Sequence, residues 1–410
     1  MQGAVHIIGA GLAGLAAAVR LSGSGRAITV HEGTAHPGGR CRSYHDHATG
    51  LFIDNGNHLL LSGNHAAHAY AKAIGTEHRL GGPDKAEFAF HDLETRKSWT
   101  LRISDGRIPW WIFDPAKRVP DTHWRDYLGL AKILVASDRA LGEVIACKGP
   151  LYDRLIEPLM VAALNTSPPE SSALLARNIV RETLALGGEA CRPRIARDGL
   201  GTVFVEPAVA FLRDRGATVR MDHELRGLVL DGDRVTALDF GDGRIDLGPD
   251  DAVIMAVPAW AATALVPGLT GPTAFRSILN THFRAVAPAG TPTVTGVLGG
   301  TAEWIFVFPD RVSVTTSNAD RFMKEPREAL AATVWTEVCA VTGLTGDLPA
   351  WQIVRERRAT FAATPEQNAR RPGTKTAWRN LALAGDWTDT GLPSTIEGAI
   401  RSGNAAAALI

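Results

Sequence analysis

The stretch Leu51-Phe52-Ile53-Asp54-Asn55-Gly56-Asn57-His58 ends an apolar run in a cluster of polar groups. Asp54 and His58 are of types that give or take a proton, and the Asn55 and Asn57 amides donate and accept hydrogen bonds. The same residue types also build an ordinary turn at the end of a strand, so both roles stay open at this point.

A second constellation is more directive. Val5-His6-Ile7-Ile8 breaks at Gly9-Ala10-Gly11-Leu12-Ala13-Gly14 and passes into the periodic segment Leu15-Ala16-Ala17-Ala18-Val19-Arg20-Leu21. This predicts a strand, a tight turn and a helix, the arrangement that cradles a dinucleotide pyrophosphate. Gly9 permits the turn, Gly11 has no Cβ to block the phosphates, and Gly14 lets helix and strand approach. Leu12 and Ala13 begin the helix whose free N–H groups meet the negative charge. Ala27-Ile28-Thr29-Val30-His31 predicts the next strand. It leads to Glu32 at roughly the twenty-residue offset where a carboxylate accepts from ribose hydroxyls and repels a 2′-phosphate.

The elements that must hold these groups are bounded by composition. A chain of 410 residues suggests two domains. Its 43 basic residues balance 43 acidic ones, which points away from nucleic acid as a partner. Cys41, Cys147, Cys191 and Cys339 have no paired spacing, so neither a metal site nor a disulfide framework is expected, and a reducing cytoplasm fits. The apolar start lacks the basic leader of a signal peptide, and no apolar run is long enough to span a bilayer.

Along the chain, Gly33 to Ser43 is a glycine-dense loop closing on Arg40 and Arg42. From about Asp84 to Pro193 the pattern turns mainly helical, after strand-like alternation at Phe88-Phe90 and Trp99-Ile103. Tyr127, Leu128, Ala131, Leu134 and Val135 lie at helical spacing, continued by Leu141, Val144 and Ile145. Ser167-Pro168-Pro169-Glu170 predicts a capping box that starts a helix running to Gly187-Gly188. Trp110, Trp111 and Phe113 precede Lys117 and Arg118, which fits either core packing or a peripheral membrane contact. Val203 to Arg215 predicts a helix, Ala217 to Met221 a strand, and Leu225 to Val229 with Arg234 to Phe240 a hairpin around Asp231-Gly232-Asp233. Ala252 to Pro258 predicts a buried strand. Strands from about Gly290 to Thr316 and a helix through Leu330 to Val341 read as a second piece of substrate domain. Leu381 to Ala384 runs as a strand into Gly385-Asp386, and Ser394 with Glu397 forms the pattern of a further capping box.

Gly38-Gly39-Arg40 soon after the ribose acid resembles the flavin-binding signature of the amine oxidase and phytoene desaturase superfamily. The resemblance implies an α/β fold, with a Rossmann-like FAD-binding domain and an interleaved α+β substrate domain. The expected division is 1–83, 197–268 and 352–410 for FAD, with 84–196 and 269–351 for substrate. It also implies that Arg40 lies against FAD, that Leu225 offers backbone groups to adenine, and that Asp386 meets the ribityl and phosphate region. The helix start at Thr395 and Ile396 would face the flavin pyrimidine edge. There, helix N–H groups stabilise the charge of a reduced flavin. Cys339 is the last cysteine, so the flavin is expected to be noncovalent.

Within the superfamily, Phe52 to His58, Ala163-Leu164-Asn165-Thr166, Arg358-Ala359-Thr360-Phe361 and Gly385 to Pro393 resemble the squalene-associated, FAD-dependent desaturase-like group, the hydroxysqualene dehydroxylases. The resemblance implies hydride delivery from reduced FAD to an allylic carbon as hydroxyl leaves, in squalene and hopanoid biosynthesis. Asp54, His58, Asn55 and Asn57 become the candidate catalytic residues. A hydrophobic isoprenoid substrate is implied, and the single glycine motif leaves electrons to a separate donor. Thr395 stands where amine oxidases of the superfamily carry a cage tyrosine, which argues against amine oxidation. The alternatives are a carotenoid-type polyene desaturase and, further off, a flavin amine oxidase. A cytoplasmic protein, peripheral on the inner membrane face through Trp110, Trp111 and Phe113, is the matching location.

Overall fold

The computed structural model describes residues 3–410. A five-stranded parallel sheet runs in the order Thr218–Arg220, Ile28–His31, Val5–Ile8, Ala252–Met255, Leu381–Leu383. Val5–Ile8 and Ala252–Met255 are buried at every position, as parallel strands covered on both faces require. Two helices from opposite ends of the chain lie against each other beside this sheet, Leu12–Leu21 and Ile396–Ala407. Their approach depends on Gly403, where a Cβ would come within 2.1 Å of the Ala13 carbonyl oxygen.

The second body is a seven-stranded sheet in the order Trp351–Phe361, Phe275–Phe283, Val312–Thr316, Trp304–Val307, Val294–Leu298, Glu87–Asp92, Lys97–Arg102. Its strands are antiparallel except for Val294–Leu298 beside Glu87–Asp92. Alternation divides its faces. Phe283 packs with Val314, Val334 and Val338 against the helix Arg327–Thr342, while Trp304 and Phe306 pack with Met160 and Leu164 toward the helical segment.

Several expected boundaries move. The segment beginning at 352, assigned above to the FAD half, opens with a strand of the other sheet, paired from Phe283↔Trp351 to Phe275↔Phe361. Ile353 draws it there by joining Leu279 and Leu330 in a buried cluster. The helix expected over Val203 to Arg215 is two, Leu200–Phe204 and Glu206–Asp214. Pro207 has no N–H to continue the ladder and its ring crowds the preceding turn. The hairpin strand starts at Gly227, not Leu225.

The helix expected from Ser167 is a single 3-10 turn, Pro168–Glu170. The true cap is Ser172, whose hydroxyl accepts from the Leu175 N–H at 3.2 Å and starts the helix Ala173–Glu182. Ser171 takes ψ 150° and leaves the helical region, so the turn ends there and regular hydrogen bonding begins after Ser172. The apolar periodicity from Tyr127 yields only the short helix Leu128–Ile133 and a turn at Leu141–Glu143. Tyr127, Ile133, Leu141 and Ile145 nonetheless face one core.

The aromatic run at Trp110–Phe113 divides between its two readings. Trp111 is buried and meets Tyr127 edge-on at 5.2 Å. Trp110 is 63 % exposed and Phe113 50 %. Among the described residues no helix is long and apolar enough to cross a membrane, and no group of three or more His, Cys, Asp or Glu could hold a metal ion.

Candidate functional site

The two glycine loops form one backbone-lined surface. Gly9 has φ +107°, open to glycine and strained for other residues, and its N–H donates to the His31 carbonyl at 2.7 Å. A Cβ on Gly14 would stand 1.9 Å from the Gly9 oxygen, so helix and turn touch there. A Cβ on Gly11 would meet nothing within 4 Å, although Gly11 caps the helix that continues through Leu12 and Ala13. The Gly38 N–H donates to the Ala10 carbonyl at 2.8 Å, which brings Gly39 opposite Gly11. Open space, glycine backbone and an uncapped helix start meet at one point, as a pyrophosphate needs.

Glu32 anchors the ribose end. One carboxylate oxygen accepts from the Ala10 N–H at 2.9 Å, the other from the Thr34 N–H and hydroxyl at 3.0 and 2.8 Å. The oxygen that accepts only from Ala10 retains a lone pair for a further hydroxyl. The His223 N–H donates to the Glu32 carbonyl at 2.8 Å, which draws the loop carrying buried Leu225 beside it. Among the described residues the Leu225 N–H has no hydrogen-bond partner.

The far end of the chain closes the cleft. Arg40 donates to Asp386 at 2.7 Å and to the Ala359 carbonyl at 2.5 Å. Asp386 is buried, and Gly385 before it has φ +147° and donates its N–H to Ser402 at 2.8 Å. The expected capping box at Ser394 and Glu397 is absent. Thr395 caps Ile396–Ala407 by accepting from the Gly398 N–H at 2.9 Å, while Ser394 accepts from Phe361. Glu397 instead accepts from the Ala66 and Ala67 N–H groups, capping the helix His65–Ala73 from outside. The start of the helix at Ile396 still presents uncompensated N–H groups.

The four candidate catalytic residues separate in role. Asp54 is buried and accepts from the Ser43 hydroxyl and, at 2.8 Å, from the Leu200 N–H, so it caps Leu200–Phe204. Burial pushes its carboxyl upward, opposed by those two hydrogen bonds. Asn55 donates to Glu356 at 3.3 Å, and its own N–H donates to the Arg42 carbonyl. Asn57 takes its N–H to Asn280 at 3.3 Å and its side-chain amide to Thr315 at 3.2 Å. Its Oδ1 is buried without a partner, as is Nδ1 of His58. Burial pulls the His58 imidazole down, opposed by the Gly56 carbonyl and reinforced by Arg40, which keeps the ring neutral at pH 7.

Asn280, Thr315 and Glu356 complete this polar floor. They come from three adjacent strands, and no local pattern announced them. The Thr315 hydroxyl donates to Asn280 at 2.8 Å. Trp304 lies opposite Thr315 across the strands, and its ring meets Phe90 at 5.8 Å, so an aromatic wall adjoins the polar group. The amide of Asn165 donates to Thr360 at 3.0 Å and its oxygen accepts from the Asn318 N–H at 2.6 Å. Two of the stretches singled out above thus meet in space.

A nucleotide-binding sheet, a cleft reaching from Gly11 to Thr395 and a polar floor on a second sheet define an oxidoreductase that works through a bound dinucleotide. The chain belongs to the flavin containing amine oxidoreductase family, whose model matches residues 12–410. A flavin on a dinucleotide-binding sheet is FAD, and the open glycine cradle and the Glu32 carboxylate fit it. A hydroxysqualene dehydroxylase of Rhodopseudomonas palustris is 59 % identical over 412 aligned positions, covering 100 % of this chain and 99 % of that one. Another, from Sinorhizobium fredii, is 57 % identical over 406 positions, covering 99 % of this chain and 97 % of that one. Among solved structures, cyclohexylamine oxidase from Brevibacterium oxydans aligns with TM-score 0.72 over 100 % of this chain and 98 % of its own, at 16 % identity, a likeness of fold.

Proposed function

We propose that the protein reductively removes the hydroxyl of hydroxysqualene to give squalene and water, as a step of squalene and hopanoid biosynthesis. Full-length similarity to the two dehydroxylases supports this reading. The observation that carries it in the site is the pair of buried, unpartnered atoms, Asn57 Oδ1 and His58 Nδ1, beside an aromatic wall. Buried polar atoms without partners cost free energy, and a substrate hydroxyl would satisfy both.

Bound, reduced FAD supplies the hydride. The chain supplies the rest. Hydroxide is a poor leaving group, so its oxygen must be held by hydrogen bonds and protonated as the C–O bond breaks. His58, neutral through burial, orients that oxygen, with Asn57 as its neighbour, and Thr315 and Asn280 fix Asn57. Asp54, already engaged by Ser43 and Leu200, acts as a positioning residue for the loop. Trp304 and Phe90 exclude water from the carbon that accepts hydride.

Electrons come from a separate donor. The isoprenoid substrate reaches the protein at a membrane surface, which Trp110 and Phe113 contact with their exposed rings. The test is anaerobic: reduce the flavin, add hydroxysqualene, and follow flavin reoxidation together with squalene. Bleaching of oxidised flavin by a less unsaturated polyene would replace this reading with a desaturase. His58→Ala with FAD still bound should lower turnover at least tenfold.

A further inference from the structure

The cleft that contains Arg40 and Asp386 reaches the surface between Trp260, Phe275 and Arg358. Trp260 is 38 % exposed at the rim of this cleft. Its ring meets Phe275 edge-on at 5.1 Å, and the Arg358 guanidinium lies 4.8 Å from the Trp260 ring and 5.9 Å from Phe275. This stacking fixes a cation over an aromatic at the mouth of the cofactor cleft.

The surroundings are basic. Arg357 and Arg358 are both exposed on the edge strand Trp351–Phe361, and among the described residues no carboxylate lies within 4.0 Å of either. Arg370 is exposed too, with its Nε donating to the Gly271 carbonyl at 3.1 Å. Gly271 abuts Thr263, whose hydroxyl donates to the Trp260 carbonyl at 3.2 Å, so Arg370 belongs to the same surface. The acids around it are engaged on this chain: Glu170 and Asp320 pair with Arg276 at 3.2 and 3.9 Å, Asp138 accepts from Asn368 at 2.7 Å, and Glu366 accepts from Gln367 at 3.3 Å.

An exposed tryptophan stacked under one arginine, with further arginines free of carboxylate partners beside it in the chain and across Gly271, has the composition of a binding hot spot. Such a surface selects an acidic partner and speeds its arrival. We propose that Trp260, Arg357, Arg358 and Arg370 form the docking surface for a small acidic electron-carrier protein that reduces the FAD. The proposal rests on the reading that the FAD is reduced by a separate donor. Two carrier molecules each lose one electron, and FAD gains two electrons with two protons from water. Arg358, held by aromatic contact, and Arg370, held by a backbone carbonyl, suit a shaped protein surface, whereas Trp110 and Phe113 are the residues assigned to lipid.

The test uses the full-length holoprotein without hydroxysqualene, so its outcome is independent of the substrate assignment. Flavin reduction is followed by stopped flow with reduced flavodoxin as the acidic carrier, and with dithionite as a small reductant that needs no docking. Flavodoxin-driven reduction should fall about tenfold between low and high salt, and a further roughly tenfold or more in Arg358→Glu and in Arg370→Glu. Dithionite-driven reduction and FAD content should not change in either variant. Trp260→Ala should lower the flavodoxin rate at all salt concentrations. Flavodoxin rates that ignore both salt and charge reversal would overturn the proposal. Equal loss of FAD or of dithionite reduction in both variants would overturn it too, as would loss of binding to anionic vesicles with carrier kinetics intact.

Discussion

The Leu200 N–H donates to the Asp54 carboxylate at 2.8 Å, which makes a residue with the look of a proton donor the cap of a neighbouring helix. Ser43 stands between them, donating its hydroxyl to Asp54 and accepting from the Gly201 N–H at 2.8 Å. The strand that leads to His58 is thereby tied to Leu200–Phe204.

Asp54→Ala therefore acts on stability. It strands a buried N–H and hydroxyl, at a cost of about 1–3 kcal/mol. Asp54→Asn keeps an acceptor and should cost less, with FAD-saturated turnover within a few-fold of wild type. Urea unfolding beside steady-state turnover checks both. A collapse of turnover in a fully folded Asp54→Asn would return Asp54 to the chemistry.

Glu397→Ala should be more damaging. Glu397 is buried, caps His65–Ala73 through Ala66 and Ala67 at 3.0 and 2.8 Å, and receives Arg401 at 2.8 Å. Arg401 in turn clamps Glu182 at 2.7 and 3.0 Å. Removing the carboxylate leaves two N–H groups and the Arg401 Nε without their acceptor, while Glu182 still holds the rest of the guanidinium, a loss of about 2–4 kcal/mol. Glu397→Gln should recover part of it, and thermal melting of the three proteins would rank them.

These two carboxylates also mark where sequence stops being informative. The Gly9 to Gly14 turn and Glu32 were legible because the contacts that define them, Gly14 on Gly9, Gly9 to His31 and Glu32 to Ala10 and Thr34, lie within one strand-turn-helix-strand unit. Asn57 and Thr315 are 258 positions apart, and only the packing of a loop from one half of the fold on the sheet of the other brings them together. The Ser394-to-Glu397 spacing matched a capping box, but Thr395 one step later offers the same hydroxyl. The choice fell to Thr395 because another helix claims Glu397. The Ser167 pattern failed likewise, since Ser171 leaves the helical region and the Ser172 hydroxyl accepts from the Leu175 N–H to start the helix later. Composition offered core or membrane for Trp110 to Phe113, and burial distributes the residues between a packed and an exposed side.

Acid should weaken the fold through His31. Its Nε2 lies 3.0 Å from His6 Nδ1 and its Nδ1 lies 2.8 Å from His223 Nδ1, so one proton in each gap satisfies all three rings. Burial, with His6, His223 and Arg220 around it, pushes His31 down to about 3, while Asp251 faces His6 and Asp242 faces His223. Between the ordinary histidine value and about 3 the unfolded chain binds a proton that the folded one refuses. Stability must therefore fall as pH drops through that window, by on the order of 1 kcal/mol per pH unit. His282, also pushed to about 3 by burial and Arg311, adds a second such contribution. Urea midpoints at pH 7, 6 and 5 should slope less steeply in His31→Gln than in wild type. Parallel slopes would exclude the histidine chain as the cause.

The glycine turn allows the cofactor and the fold to be separated. Gly11 has φ −72°, which any residue adopts, and a side chain there would enter open space. Gly14 is the opposite case, with its missing Cβ 1.9 Å from the Gly9 oxygen. Gly11→Val should leave the melting temperature of the apoprotein within a degree or two, about ±0.5 kcal/mol. It should weaken FAD by roughly ten- to a hundredfold, because the valine occupies phosphate space at about 1–3 kcal/mol. Gly14→Ala should lower the apoprotein's melting temperature before any ligand is added, since the methyl must push helix and turn apart. Titration of apoprotein with FAD, read by flavin fluorescence quenching, and melts without FAD give the two quantities separately. If Gly11→Val bound FAD as tightly as wild type, the pyrophosphate could not lie against Gly11, and the cleft from Gly11 to Thr395 would have to hold the cofactor by its other contacts.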